Sequence, residues 1–369
     1  MKAVIGLCFG DEGKGRVVDF LDHSLTIRFS GGQQAGHGVI RNGEKHTFSN
    51  FGSSTLKGIP TYWSKFCTVD PVGMIRELNE LMKINVNPLI YIDGDSPITT
   101  PYDKFYNTNS KNDLDHGTCG VGVGSTINRE EHFHSLTFND IFYPLILDIK
   151  LNYIKNFYND IASRCRAELG DLMNEFLECC YKLTTLDNFK LTYGIPQNYT
   201  DILFEGSQGL LLDQWYGFFP HVARTNTGTK NIINMLGTDK IDLELYLVTR
   251  AYQTRHGNGP MTNENIDNNI KIDPDEINKD NKYQGIFRRS ILDVSLLKYG
   301  IDKDKYIRES KNKTLVITCL DHITEYVFTY NGKMTYCKNE KEFIENISNK
   351  LEIEKVMVSH SPYGEMNYH

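Results

Sequence analysis

The chain has 369 residues, of which 40% are hydrophobic and 24% charged, with only 11 prolines; this composition excludes wholesale disorder and leaves room for a sizeable core. No apolar run approaches the ~20 residues that span a bilayer, and the opening Met-Lys-Ala-Val-Ile-Gly-Leu-Cys-Phe-Gly is too short for a signal peptide, so the expectation is a cytoplasmic protein with no membrane partner. A net charge of −7, from 40 Lys+Arg against 47 Asp+Glu, argues against a nucleic-acid polymer as partner but not against a nucleotide, which needs only a local cationic pocket.

The first third alternates short apolar runs with glycine turns. Lys2 to Phe9 predicts a buried strand, Gly10 to Gly15 a loop, Arg16 to Leu21 the opening of a helix, and Leu25 to Phe29 the next strand, followed by Gly31-Gly32. This is the opening of a nucleotide-binding α/β unit. From about Phe138 to Lys190 the pattern turns helical with few glycines, so a helical insertion is expected around residues 138–190. Strand signals return at Asp201 to Phe204, Leu245 to Thr249 and Leu315 to Thr318, each before a glycine-, charge- or polar-rich loop, as if strand ends converge on one site. The Asn- and Asp-rich stretch from Asn263 to Asn281 reads as a mobile loop. With no internal repeat or long linker, the reading is one domain over 1–369: an α/β fold with a large, mostly parallel central sheet, flanking helices and insertions.

The cysteines (Cys8, Cys67, Cys119, Cys165, Cys179, Cys180, Cys319 and Cys337) form no C-x-x-C pattern. Adjacent Cys179 and Cys180 are poor partners for each other in a disulfide or a zinc site, so reduced thiols are expected. His132-x-His134 has no nearby third ligand and reads as surface chance rather than a metal site.

Two motifs carry chemistry. Gly10-Asp-Glu-Gly-Lys-Gly-Arg16 lies between a strand and a helix, the arrangement that aims backbone N–H groups at phosphate, with Lys14 as the cation. It is not a Walker A loop: only two residues separate Gly10 from Gly13, and Gly15-Arg16 stands where Lys-Ser/Thr would continue. With no Ser/Thr to hold Mg²⁺, Asp11 is the obvious oxygen ligand. Gly31-Gly-Gln-Gln-Ala-Gly-His37 also follows a strand; its small residues admit close backbone approach, and His37 can donate to a developing phosphate charge.

Together these motifs resemble the adenylosuccinate synthetase family. Further stretches match in order: Gly117-Thr-Cys-Gly-Val-Gly-Val-Gly124, Phe204-Glu-Gly-Ser-Gln-Gly209, Ala251-Tyr-Gln-Thr-Arg255, Arg288-Arg289 leading to Leu292-Asp293, Thr318-Cys-Leu-Asp321 and Ser359-His-Ser-Pro362. The resemblance covers most of the chain and is weakest in the helical middle. It implies a P-loop-like fold and a two-step C–N ligase. A 6-oxopurine nucleotide loses its N1 proton to a carboxylate while its oxygen attacks the γ-phosphate of a triphosphate. The amino group of L-aspartate then displaces the 6-phosphoryl group. The resemblance makes Asp11 base and Mg²⁺ ligand, the Gly36 carbonyl a second ligand, and His37 the acid at the phosphoryl group. It places Gly13, Lys14, Gly15, Arg16, Thr318, Asp321 and Ser359 on the triphosphate, and Gln34, Thr118, Cys119 and Gln208 on the monophosphate nucleotide, Gln208 at the purine edge. Arg129 is expected to reach that nucleotide's phosphate across a homodimer interface, and Arg288 and Arg289 to bind aspartate.

The departures from the pattern point to a variant. Cys319 stands where the family's Thr-Lys-Leu-Asp has lysine, which suggests a base pocket that reads adenine or tolerates both purines, so ATP or GTP is the donor. The aspartate loop, Gly285-Ile286-Phe287 before Arg288, is poor in arginine, and an arginine that would bond the ribose 2′-OH is replaced by a non-polar residue. Phe48 to Trp63 is also unlike the ordinary enzyme. These features resemble the phage branch, the 2-aminodeoxyadenylosuccinate synthetases, which use dGMP on the way to diaminopurine DNA. Some of that branch carry serine at the catalytic carboxylate position, whereas this chain keeps Asp11. The alternative is an ordinary synthetase acting on IMP with GTP and aspartate.

Overall fold

The computed structural model describes residues 1–110, 117–159, 166–240, 242–267, 270–271, 283 and 285–369. Cys165 and most of the stretch from Asn263 to Asn281 lie outside the described residues. In chain order the strands are β1 (Lys2–Gly6), β2 (Leu25–Arg28), β3 (His37–Arg41), β4 (Glu44–Phe48), β5 (Thr61–Trp63), β6 (Ile90–Asp93), β7 (Phe189–Thr192), β8 (Ile202–Gly209), β9 (Glu244–Arg250), β10 (Tyr252–Arg255), β11 (Arg288–Asp293), β12 (Lys313–Thr318), β13 (Val327–Tyr330), β14 (Lys333–Tyr336), β15 (Lys355–Val358) and β16 (Asn367–Tyr368). Ten of them form one sheet in the order β16-β15-β12-β9-β1-β8-β2-β5-β6-β7. It is parallel throughout except where β16 pairs with β15. β10-β11-β13-β14 make a second, smaller sheet, and β3 with β4 a hairpin.

The central strands are apolar on both sides because both faces of the sheet are covered. Along β1, Ala3 and Ile5 pack into one core cluster and Val4 into another. β9 and β12 alternate the same way, with Leu247 and Ile317 on the first face and Val248 and Val316 on the second. Helix α1 (Lys14–Phe20) contributes Val17 and Val18 to the second face. The helices Val294–Lys303 and Glu340–Leu351 contribute Leu297, Ile301, Phe343 and Ile347 to the first. A third cluster lies beyond β5 and β6. It joins Trp63 and Ile92 to α2 (Pro71–Lys83) and to the helices of the middle region. After α3 (Pro101–Asn109) and α4 (Val123–Glu131), those helices are α5 (Pro144–Phe157) and α6 (Arg166–Thr185). Among the described residues no helix is long and apolar enough to cross a membrane, and the described cysteines are free thiols.

Two boundaries differ from the sequence reading, for a physical reason. β1 stops at Gly6, and residues 7–10 bend away from the ladder. β8 instead runs beyond Phe204 through Glu205 to Gly209, because Glu205 pairs in register with Val4 on one side and Arg28 on the other. A charge in the middle of a central strand hides the strand from any hydrophobic pattern. Gly6 is needed where β1 ends. A Cβ there would lie 2.0 Å from Glu12 Oε2, and that carboxylate is buried in an ion pair with Lys14. Gly6→Ala should therefore break a buried pair and cost on the order of 3 kcal/mol in denaturant unfolding; a loss below about 1 kcal/mol would show that Glu12 moves aside freely.

Candidate active site

The C-terminal ends of the parallel strands open into one cleft of about 1490 Å³, the expected ligand position in an open α/β sheet. The segment after β1 lines it from Phe9 to Arg16, β8 supplies Ser207 and Gln208, and β9 ends in it at Arg250. Thr318 at the end of β12, Cys319 and Asp321 just beyond it, and Ser359 after β15 line the same wall.

The turn after β1 is left-handed in three places, Gly10, Asp11 and Gly13, with Asp11 at φ 58°. Glycine takes this conformation freely; an aspartate takes it at a cost that the surroundings must hold in place. Arg250 Nε does so by donating to the Asp11 carbonyl, and His256 Nε2 lies 3.9 Å from Asp11 Oδ2. Burial raises the Asp11 carboxyl above its ordinary range, against the opposing charges of His256, Arg250 and Lys14. A raised carboxyl is a stronger base than free aspartate.

Lys14 opens α1, and its Nζ lies 2.6 Å from Glu12 Oε2, while Glu12 Oε1 accepts the Cys8 N–H at 2.6 Å. The Glu12 carbonyl in turn accepts the Thr318 hydroxyl at 2.8 Å. The sequence marks Glu12 only by its place two residues before a lysine in a turn.

His37 begins β3 instead of standing in the loop. Its Nδ1 meets Glu205 Oε1, and Ser53 donates to the same carboxylate through its hydroxyl and through its N–H, the latter at 3.0 Å. Burial alone would lift the Glu205 pKa, but the facing His37 ring, Arg28 and the Ser53 donors hold it down at about 2. His37 Nε2 is buried and has no partner. The two motifs touch at Gly15, where a Cβ would lie 2.8 Å from His37 Cβ and 3.0 Å from Ser53 Oγ. The third glycine of the first motif is what lets the second approach.

Of the residues singled out in the sequence, Asp11, Gly13, Lys14, Gly15, Arg16, Gln34, Gly36, His37, Thr118, Cys119, Gln208, Thr318, Asp321 and Ser359 all line this cleft. Arg16 also donates to the Gly364 carbonyl, tying α1 to the C-terminal segment. The Thr118 hydroxyl donates to Asn107 Oδ1 at 2.8 Å, and burial raises the Cys119 thiol. Gln34 and Gln208, with Gln33, each carry a buried side-chain oxygen that has no partner.

Three expected residues lie elsewhere. Arg129 is fully buried, and its N–H groups go to Asp103, Glu130 and the carbonyls of Ile98 and His134. It joins α4 to α3 within its own chain, so a contact across a homodimer interface loses its basis in this residue. Arg288 and Arg289 are absent from the cleft wall. Arg288 is held by Glu264 and by the carbonyls of Gly257 and Gly259, and Arg289 sits over the Phe287 ring at 4.9 Å. The arginines on the wall are Arg16, Arg224, Arg250 and Arg255. His132 and His134 each bond a nearby carbonyl, and no group of three metal-ligating side chains exists among the described residues.

Sheet, turn and cleft together define a P-loop-like α/β enzyme with its ligand site at the strand ends. The adenylosuccinate synthetase family model matches residues 3–357, and the chain belongs to that family, whose members are C–N ligases. The adenylosuccinate synthetase of Thermoplasma volcanium is 29% identical over 320 residues, 82% of this chain and 72% of that protein. That of Bordetella avium is 30% identical over 281 residues, 72% of this chain and 65% of that protein. The matches thus span 65% to 72% of these relatives' length. Among solved structures, the fully ligated adenylosuccinate synthetase of Plasmodium falciparum superposes with a TM-score of 0.74 at 17% identity, over 98% of this chain and 97% of that one. The cyanophage S-2L succinoaminodeoxyadenylate synthetase, bound to dGMP and to dATP as an energy donor, superposes at 0.65 and 13% identity, over 98% and 92%. At these identities the likeness is one of fold.

The Glu205 geometry has a pH signature. Its pKa falls from about 4.5 to about 2 on folding, so its contribution to stability is full above about pH 4.5 and is lost as the pH falls towards about 2. The stability gap between the wild type and Glu205→Gln should be constant near neutrality and close across that window in denaturant titrations. A gap that persists unchanged at about pH 2 would contradict the ionised, buried Glu205.

Proposed function

We propose that the chain joins L-aspartate to C6 of dGMP, with cleavage of a nucleoside triphosphate to diphosphate and phosphate, giving N6-succinyl-2-amino-2′-deoxyadenylate. The observation that carries this reading is the meeting of Asp11, Lys14 and His37 in one cleft, with their two loops in contact at Gly15. Asp11, its basicity raised by burial, takes the N1 proton as O6 attacks the γ-phosphorus. Lys14, released from Glu12, and the Gly13 and Gly15 amides cradle phosphate oxygens. His37, backed by the Glu205 carboxylate, presents Nε2 to the transferring group. The aspartate amine then displaces phosphate from C6; the amine gives up a proton as the C–N bond forms, the phosphate leaves with the former O6, and N1 of the product carries no hydrogen. Arg16, Thr318, Asp321 and Ser359 are assigned to the triphosphate, and Gln34, Thr118, Cys119 and Gln208 to dGMP.

Mg²⁺ fits the donor set. One carboxylate, Asp11, and one carbonyl, Gly36, line the cleft without an all-protein cage, which suits a cation that keeps water and substrate phosphate oxygens as its remaining ligands. Bound there, it would neutralise charge on the triphosphate.

Support for dGMP comes from the buried, unpartnered amide oxygens of Gln33, Gln34 and Gln208. Guanine offers two donors, N1–H and the 2-amino group, where hypoxanthine offers one, and buried acceptors left unpaired penalise the poorer ligand. The cyanophage neighbour, solved with dGMP and dATP, supports the same substrate and an adenine-type donor. A second reading, IMP with GTP, is favoured by the curated relatives, which are named as ordinary synthetases.

Phosphate release with dGMP, GMP or IMP, each with ATP or GTP and aspartate, separates the two readings. The expected result is the highest kcat/KM with dGMP, reduced ~10²–10⁴-fold in Asp11→Asn. A higher kcat/KM with IMP would assign the ordinary reaction, and substantial turnover by Asp11→Asn would overturn the base.

A further inference from the structure

We infer that Arg224 holds the 5′-phosphate of the monophosphate nucleotide, as a cation supplied from within the chain. The inference rests on the reading above, in which the cleft takes a purine monophosphate and Thr118 and Cys119 meet it. With Arg129 buried in its own pairs, that phosphate needs another cation, and four arginines line the cleft. Three of them are committed to backbone carbonyls: Arg16 to Gly364, Arg250 to Asp11, and Arg255 to His221 and Pro260. The Arg224 guanidinium bonds only side chains of α4, Asn128 Oδ1 at 3.3 Å and Glu131 Oε2. The side chains of the Arg224–Glu131 pair are 46% and 52% exposed, and an ion pair this open to water holds its partners weakly.

The stem of Arg224 crosses the first turn of α4. A Cβ on Gly124, the second residue of that helix, would lie 3.9 Å from Arg224 Cδ. The guanidinium, now at Asn128, needs to travel only about one helical turn, roughly 5 Å, to stand at the helix start. That start is suited to an anion. Gly122 at the N-cap is left-handed, φ 82°, and offers no side chain to the N–H groups of the first turn, which holds no acidic residue. Ser125, on the cleft wall, is 3% exposed and its hydroxyl has no partner; a buried donor of this kind stays unsatisfied until a ligand supplies the acceptor. The loop before the helix is braced by Asn107, whose Oδ1 accepts the Thr118 hydroxyl at 2.8 Å and the Gly122 N–H at 3.2 Å. Arg224 itself is anchored on both sides to the segment after β8. The Ala223 N–H donates to the Leu212 carbonyl at 2.8 Å, and the Gln214 N–H to the Thr225 carbonyl at 3.2 Å. A phosphate dianion at the start of α4 accepts from the free N–H groups and from Ser125. It also draws the guanidinium away from the single charge of Glu131, into two parallel N–H···O bonds.

The test compares each nucleotide with its nucleoside, dGMP with deoxyguanosine and IMP with inosine, by Kd on the full chain, the nucleosides by displacement. Arg224→Ala should raise the Kd of the nucleotides about 10- to 100-fold, the loss of charge-assisted bonds to one group, and leave that of the nucleosides within about two-fold. Arg224→Lys keeps the charge without the planar fork and should recover part of the loss. Ser125→Ala should cost the nucleotides about three- to ten-fold and the nucleosides nothing. Glu131→Gln separates binding from bracing. With its rival removed, Arg224 should bind the nucleotides up to about three-fold more tightly. An arginine that only braces α4 through Glu131 would lose affinity in Glu131→Gln as it does in Arg224→Ala, and that result overturns the inference. So does an Arg224→Ala loss shared equally by the nucleosides. If dGMP or IMP binds and Arg224→Ala leaves the nucleotide-to-nucleoside ratio alone, Arg224 has no part in phosphate binding and the substrate reading stands. If neither nucleotide binds, the substrate reading falls, and the role of Arg224 with it.

Discussion

The close approach of Gly15 to His37 makes one site of two loops. Neither loop holds a complete set of groups: one brings a carboxylate and a cation, the other an imidazole. A side chain at position 15 would collide with His37 Cβ, so glycine there is a packing requirement before it is a conformational one. His37 can be approached so closely because it is fixed from behind by Glu205 and Ser53. Glu205 is in turn fixed because β8 runs between β1 and β2 in the central sheet. The strand order places a charged residue at a buried central position and surrounds it with donors.

Charge is distributed by the same logic. The chain is acidic overall, yet the cleft collects Lys14, Arg16, Arg250 and Arg255. Two of the buried cations are answered by a neighbouring carboxylate, Lys14 by Glu12 and Arg129 by Asp103. Such pairs contribute little net stability when intact and cost much when broken, so their effect is to fix geometry. Lys14 differs from Arg129 in that it and its partner Glu12 both line the cleft, where a bound phosphate of the proposed substrate would compete with Glu12 for the ammonium. Arg129 has no such competitor and is a structural cation that holds α3 and α4 together.

Much of this was legible in the sequence. The β1 turn, α1 and β2 follow from an apolar run, glycines and a second apolar run, all local signals. The convergence of strand ends on one cleft followed from polar or glycine-rich segments placed directly after apolar ones. What escaped was long-range. His37 and Glu205 are 168 residues apart, and Thr318 and Glu12 are 306 apart; no local periodicity encodes such partners. β3 and β4 were missed because Glu44 and Lys45 at their turn are exposed and polar, which masks a two-stranded pattern. Arg129 is a different case: resemblance alone assigned it to a phosphate, while its partner in the fold, Asp103, sits on a different helix.

The proposed reaction requires O6 of the purine to attack the γ-phosphorus, with Asp11, Lys14 and His37 in the roles proposed for them. dGMP carrying ¹⁸O at O6, turned over with an unlabelled triphosphate and aspartate in ordinary water, reports this directly in the mass of the released phosphate. The mechanism predicts one ¹⁸O in each phosphate, because the oxygen that leaves C6 leaves bonded to phosphorus. Unlabelled phosphate formed together with the succinylated product would show that water or the aspartate carboxylate, and not the purine oxygen, accepts the phosphoryl group, and would contradict the roles given to all three residues.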